Sequence, residues 1–218
     1  MDNKNCDFSP MKQQLIQGIQ DLIAHLQSNL SKLGGEEYCL LNCLEEAKNQ
    51  LADIEAMAAS FYLNCYLSEF TDTYEDLSTS IQHLSKKRHG ALIVVERSHS
   101  LDSVIQKGTP MEAVVTPKLL EAIFYPGNPL HDGAVLIRGN VVVSASNVLP
   151  LTKRTIGKEK VGTRHRAALG VTELSDALAL VVSEETGKIS FALEGNLYPI
   201  NMSDPVSFDN QIKTIDTL

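Results

Sequence analysis

From Leu40 to Cys65 the apolar residues Leu40, Leu44, Ala47, Leu51, Ile54, Ala58, Phe61 and Cys65 recur in alternating steps of four and three without a break. Only a helix brings such positions onto one stripe, so this spacing is a heptad seam and commits the segment to a long amphipathic helix. A second series lies upstream at Leu15, Ile19, Leu22, Leu26 and Leu33, with Asn29 in the skipped position. Ser9-Pro10 reads as its start, with serine at the N-cap and proline at N1, and Gly34-Gly35 as its stop. Residues 8 to 68 are therefore expected to form an antiparallel αα-hairpin. Two helices cannot bury both of their own apolar faces, so the hairpin should pack on the rest of the chain or on another subunit. It reads as a packing or oligomerisation element, or as an arm that regulates access to an active site.

The four cysteines, Cys6, Cys39, Cys43 and Cys65, all fall in this first third. Cys39 and Cys43 are one helical turn apart, but no second Cys pair accompanies them. They read as small helix residues rather than metal ligands, in a reducing compartment. The polar N-terminus does not resemble a signal peptide. The longest apolar stretches, Ala91–Val95 and Ala177–Val182, are far shorter than the roughly 20 residues that span a bilayer. The expectation is a cytoplasmic protein without membrane contact. A formal net charge of −8 argues against a broad nucleic-acid surface.

From Thr71 onward helix and strand signals alternate. Tyr74–Arg88 reads as a helix, and Gly90–Glu96, apolar and β-branched, as a buried strand. Thr116-Pro117 opens a helix through Phe124, with Leu119, Leu120 and Ile123 inward. Gly133–Ile137 and Val141–Ser146 form a hairpin across Arg138-Gly139-Asn140, and Leu178–Ser183 pairs with Lys188–Leu193 across Glu184–Gly187. The fold class is thus α/β: a mixed central sheet flanked by helices, preceded by the helical hairpin.

Three segments carry chemistry. In Gly162-Thr163-Arg164-His165-Arg166-Ala167-Ala168-Leu169-Gly170, Thr163 reads as an N-cap and the basic residues fall in the first turn of a helix. Cations there oppose the helix dipole, which makes sense if an anion docks on the free N–H groups and the arginines together. Six of the 19 Lys and Arg residues lie between Lys153 and Arg166, Lys158 and Lys160 among them. A solvated basic loop would give the same run.

In the second segment, Pro126-Gly127-Asn128-Pro129 delivers His131 and Asp132 to the first residue of a strand, and Gly133 leaves room for a ligand against the backbone. An aspartate at such a lip can bind a divalent cation or activate a hydroxyl, although Asp-Gly is also a common turn dipeptide. The third is Ser183-Glu184-Glu185. Carboxylates at a strand end are ordinarily exposed turn residues, and they matter only if the sheet sets one opposite Asp132. Neither a P-loop nor a G-x-G-x-x-G fingerprint is present.

Together, His131-Asp132-Gly133-Ala134 and Gly162-Thr163-Arg164-His165-Arg166-Ala167-Ala168-Leu169-Gly170 resemble the diadenylate cyclase domain, whose two signature motifs are Asp-Gly-Ala and Arg-His-Arg. The resemblance spans residues 71–205, leaving residues 1–70 as the hairpin and 206–218 as a tail. The hairpin is similar to that of the family's short, sporulation-associated type. The resemblance implies condensation of two ATP into cyclic di-AMP by two facing domains. It also implies a homo-oligomer, at least a face-to-face dimer and up to a hexamer, and a divalent cofactor, Mg²⁺ or Mn²⁺. On this reading Asp132, Glu185 and His131 hold the metal, and Asp132 also activates the 3′-hydroxyl. Thr163, Arg164, His165 and Arg166 hold the triphosphate, and Gly133, Ala134, Leu149 and Ser183 line the nucleotide pocket. A non-catalytic sensor of ATP or cyclic di-AMP on the same fold, or a helical adaptor, is the rival. The presence of Asp132, Arg164, His165 and Arg166 argues against both.

Overall fold

The computed structural model describes residues 9–33, 39–154 and 162–200; Gly34-Gly35, Lys158, Lys160 and the tail lie outside them. Helices α1 (Ser9–Ser31) and α2 (Leu40–Ser68) are followed by α3 (Tyr74–Lys87). Then come β1 (Ala91–Glu96), β2 (Thr109–Val114), α4 (Pro117–Ile123), β3 (Ala134–Arg138), β4 (Val141–Asn147), α5 (Thr163–Leu174), β5 (Leu178–Val182), β6 (Ile189–Leu193) and β7 (Asn196–Ile200). All seven strands join one sheet in the order β2-β4-β3-β1-β5-β6-β7. It is mixed: β1 runs parallel to β3 and antiparallel to β5. This is the α/β class expected.

The sheet is buried on both faces, which is why β1 and β5 read as unbroken apolar runs rather than alternating ones. Ala91, Ile93 and Val95 of β1 and Leu178, Leu180 and Val182 of β5 point to one side, into a core with Leu63 and Leu67 of α2, Leu77, Ile81 and Leu84 of α3, and Leu120 and Ile123 of α4. Leu92, Val94, Ala179 and Val181 point to the other, onto Ala167, Ala168 and Val171 of α5. The helices thus form layers above and below the sheet. Ile81 is completely buried. Ile81→Ala should lower the unfolding free energy by about 2–5 kcal/mol, read from denaturant unfolding of the full chain.

Two strands, β2 and β7, were not anticipated. Both are edge strands, both contain a proline (Pro110 and Pro199), and β2 carries a bulge between Pro110 and Ala113. Their inward-facing residues are few, so their apolar pattern is weak.

The hairpin forms, but its seam is not the internal one the spacing suggests. Leu15 and Ala47 are buried between or beneath the helices, whereas Ile19, Leu26, Leu33, Leu40, Leu44 and Leu51 are 43–56% exposed. The contact between α1 and α2 combines seam residues such as Leu15 and Ile54 with small and polar groups. A Cβ added at Gly18 would lie 3.1 Å from Ile54, and His25 reaches Gln50 at 3.0 Å and Glu46 at 3.3 Å. At Gly18 the two helices approach closely enough that Ile54 lies against the glycine. Toward its C-terminal end α2 docks on the sheet, where Arg97 lies over Phe70 with its guanidinium carbon 4.5 Å from the ring centroid. Cys39 is exposed and Cys43 buried, both free thiols; Cys65 is disulfide-bonded, which the reading of the cysteines as reduced does not anticipate.

Candidate active site

The register of the sheet gathers the three chemical segments at one end. Ile93 of β1 sits opposite Val135 of the parallel β3, and Ala91 opposite Val182 of the antiparallel β5. These pairings bring the ends of β3, β1 and β5 next to Asp132, Gly90 and Ser183 to the same end of the sheet. Helix α5 packs across β5, β6 and β1 and brings its N-terminus to the same end.

Thr163 is not the N-cap of α5: Gly162 is, with no side-chain cap, and Thr163 is the first helical residue. The helix therefore starts one residue earlier than its hydroxyl suggested. The first amide to find an acceptor within the helix is Arg166 N, bonded to Gly162 O at 3.1 Å. The amides of Thr163, Arg164 and His165 have no acceptor within the helix, and no acidic side chain occupies the first turn. Burial lowers the pKa of His165 relative to a free imidazole. Arg166 donates to Thr152 O at 3.3 Å, tying the loop after β4 to the helix.

Of the two arginines, Arg164 is the less exposed. Its Nη1 donates to Glu184 at 2.8 Å across the start of β1. The space it occupies exists because residue 90 is glycine. A Cβ there would overlap Nη1 and lie 2.9 Å from both Arg164 Cζ and Glu184 Cβ. Gly90 reads in the sequence only as the start of a strand, and of the pair Glu184-Glu185 it is Glu185 that is expected in the site. Nothing local separates Glu184 from Glu185; only the docking of α5 decides which of the two meets an arginine.

On the other strand, His131 is partly buried, and its Nδ1 donates to Asn128 O. A carbonyl partner fixes the proton on Nδ1 and leaves Nε2 free in the neutral ring, the usual preparation of a metal-binding histidine. Asp132 beside it is exposed. The carboxylate suits a hard divalent cation such as Mn²⁺ or Mg²⁺, whereas a free imidazole nitrogen is a ligand that softer divalent ions prefer. Glu185 is exposed in the turn after β5, and among the described residues no three His, Cys, Asp or Glu side chains cluster closely enough to hold an ion by themselves.

The four expected pocket residues sit differently from the simplest expectation. Ala134 and Leu149 belong to the second core cluster, with 1% and 7% exposure, so they can offer only a floor. Ser183 uses its hydroxyl within the turn, accepting from Thr186 N at 3.3 Å. Gly133, at φ +108°, is crowded by the protein's own chain: a Cβ there would lie 2.8 Å from Asn147 O. A surface cavity lined by His99, Glu173, Asp176 and Glu194 lies at the opposite end of α5 and includes none of these groups.

A helix N-terminus furnished with arginines, facing a His-Asp lip across two strands, defines a nucleotide-binding α/β domain. Residues 78–197 match the family described as DisA bacterial checkpoint controller nucleotide-binding, and residues 2–70 match diadenylate cyclase CdaS, N-terminal. The chain is 55% identical to diadenylate cyclase CdaS of Bacillus thuringiensis, over 77% of this chain and 83% of that one. It is 48% identical to cyclic di-AMP synthase CdaS of Bacillus subtilis, over 84% of this chain and 87% of that one. Among solved structures, one described as a hypothetical membrane spanning protein from Bacillus cereus superposes with a TM-score of 0.72 at 50% identity, covering 89% of this chain and 95% of that one. A double mutant of DacA from Staphylococcus aureus gives 0.56 at 41% identity, over 58% and 85%. The chain belongs to the diadenylate cyclase family. None of its described helices is long and apolar enough to cross a membrane.

Proposed function

We infer that this chain condenses two molecules of ATP into cyclic di-AMP and two pyrophosphates, in the cytoplasm. The observation that carries the reading is Arg164, held by Glu184 over Gly90 at the start of α5, on the same sheet end as Asp132. Each domain binds one ATP. The N-terminal amides of α5 and the guanidinium groups of Arg164 and Arg166 take the phosphates, with Thr163 and His165 beside them. Charge that develops on the phosphoryl oxygens and on the departing pyrophosphate is stabilised there by groups already in place. The bases rest on the floor made by Ala134 and Leu149, near Gly133 and Ser183.

Two such domains face each other, so that each 3′-hydroxyl forms a bond to the other nucleotide's α-phosphorus while the bond to the β-phosphate breaks. Asp132 accepts the hydroxyl hydrogen bond and orients the nucleophile. Asp132 and His131 Nε2 are the groups that would hold Mg²⁺ or Mn²⁺ together with the bound nucleotide, since Glu185, in the turn after β5, does not cluster with them among the described residues. When bound, such an ion supplies Lewis-acid polarisation of the α-phosphate and acidifies the attacking hydroxyl. The test is incubation of the full-length protein with ATP and either metal, with products identified by mass spectrometry. Cyclic di-AMP and pyrophosphate are expected; ATP binding by intact oligomers without turnover would replace the enzyme by a nucleotide sensor.

Residues 1–70 act as the oligomerisation and regulatory unit, 71–205 as the catalytic domain. In support, the large side chains of α1 and α2 that miss the internal contact form an exposed apolar face on a segment that carries no catalytic group. We assign that face to other copies of the chain, in an assembly that sets whether catalytic domains meet. Ile19→Glu combined with Leu26→Glu should shrink the assembly in light scattering and change specific activity with it. Unchanged mass and activity would refute the assignment.

A further inference from the structure

Strand β4 carries more residues than its partner needs. Ala134 pairs with Asn147 but Leu136 with Ser144, so two steps along β3 oppose three along β4. The extra residue is accommodated by a turn of the backbone at Ser146, at φ +56°. Such a bulge forfeits ladder hydrogen bonds, and one side chain replaces them. Asn147 is only 1% exposed. Its Nδ2 donates to Ala134 O at 2.7 Å and to Ser144 O at 3.1 Å. Its Oδ1 accepts from Gly108 N at 3.0 Å and from Ser144 Oγ at 2.8 Å. Both donors and both acceptor positions of the amide are used, and no other neutral side chain of this size offers that set.

The bulge is also where the catalytic lip touches the rest of the sheet. Gly133 packs on the backbone of Ser146 and Asn147, so closely that only glycine fits, and Gly108 packs on Ala145 and Ser146 from the other side. Asn147 therefore bonds the residue directly after Asp132-Gly133 and, through the same amide, the segment leading into β2. We propose that Asn147 is a positioning residue of the cyclisation reaction: it fixes the height and direction of the Asp132 lip against the bulge, so that the carboxylate meets the incoming 3′-hydroxyl. This rests on the role given to Asp132 above. The phosphate grip at α5 does not pass through Asn147, so its effect should fall on turnover rather than on substrate binding.

The test compares full-length wild type with Asn147→Asp, which keeps the shape but loses the paired donors, and with Asn147→Ala. Ile81→Ala serves as a control of comparable destabilisation remote from the lip. Both Asn147 variants should lose roughly 100-fold in kcat, the cost of misplacing a reacting group by about an ångström, with KM for ATP within about threefold of wild type and the Mn²⁺ dependence shifted to higher concentration. Amide exchange at Gly133 and Ala134 should accelerate more than tenfold in both, while Ile81→Ala keeps wild-type kcat and exchange at the lip. Wild-type kcat in a folded Asn147 variant, a parallel loss in Ile81→Ala, or unchanged exchange at Gly133 and Ala134 would overturn the proposal. Faster exchange in variants of a wild type that makes no cyclic di-AMP would locate the failure in the role of Asp132, with the clamp itself intact.

Discussion

Asp132→Asn should abolish cyclic di-AMP formation, leaving at most about one part in 1,000 of the wild-type rate, since loss of a base and a metal carboxylate together removes more than either alone. The substitution replaces one carboxylate oxygen by an NH2 group of similar size on an exposed residue. It touches no core contact, so folding and assembly should be retained. It removes the charge that a hard cation requires and the acceptor that would take the hydroxyl proton. ATP affinity should fall only severalfold by calorimetry, because the triphosphate is held at α5. Retention of more than a tenth of the wild-type rate would take Asp132 out of the chemistry. Mixing this variant with an excess of Arg164→Ala adds a stricter test of the facing-domain geometry. Each ATP needs groups from its own domain and attack from the opposite one, so no mixture of the two should approach wild-type activity.

Gly90→Ala should lower kcat/KM by roughly 100-fold, again the scale of an ångström displacement at a reacting group. Gly90 has no left-handed φ to preserve, so alanine can adopt its backbone. The added methyl meets the tip of Arg164 and the Cβ of Glu184, and the guanidinium is the part free to move. The chain should therefore keep its unfolding midpoint within a few degrees while Arg164 loses its place over β1. Glu184→Gln, which keeps a hydrogen-bond acceptor but not the charge, should show a smaller loss of the same kind. Arg164→Lys should not substitute for the native side chain, since a point charge on a flexible stem cannot reproduce the planar fork. If Gly90→Ala turns over ATP as the wild type does, the position of Arg164 seen here is not the one used in catalysis.

The two motifs were legible because each is local: a lip at the start of a strand and a basic first turn of a helix are both written in consecutive residues. What brings them together was not. That Asp132 and Gly90 lie at one end of the sheet depends on the parallel register of β1 and β3, and the meeting of Arg164 with Glu184 on how α5 crosses the sheet. Buried strands announced themselves as runs such as Leu92–Val95, whereas β2 and β7, edge strands broken by proline, had too few inward positions to be read. The heptad spacing gave the helices correctly. It could not say which face they share, because Gly18, a residue without a side chain, decides the approach of α1 to α2. Asn147 is invisible to motif reading for a similar reason: its importance lies in four partners that come from β3, β4 and the segment before β2.

The position of β1 at the middle of the sheet has a consequence for how the chain is made. A nascent chain emerges from its N-terminus, and at about 5–20 residues per second β1 is exposed for several seconds before β5 is synthesised. Ala91 pairs across the sheet with Val182, one of the most distant backbone partnerships in the domain. The hairpin needs only local contacts and can form as it appears, while the strand that follows it must stay unpaired on one side until most of the domain has been translated. Closure of β1 between β3 and β5 is therefore expected to be the slow folding step.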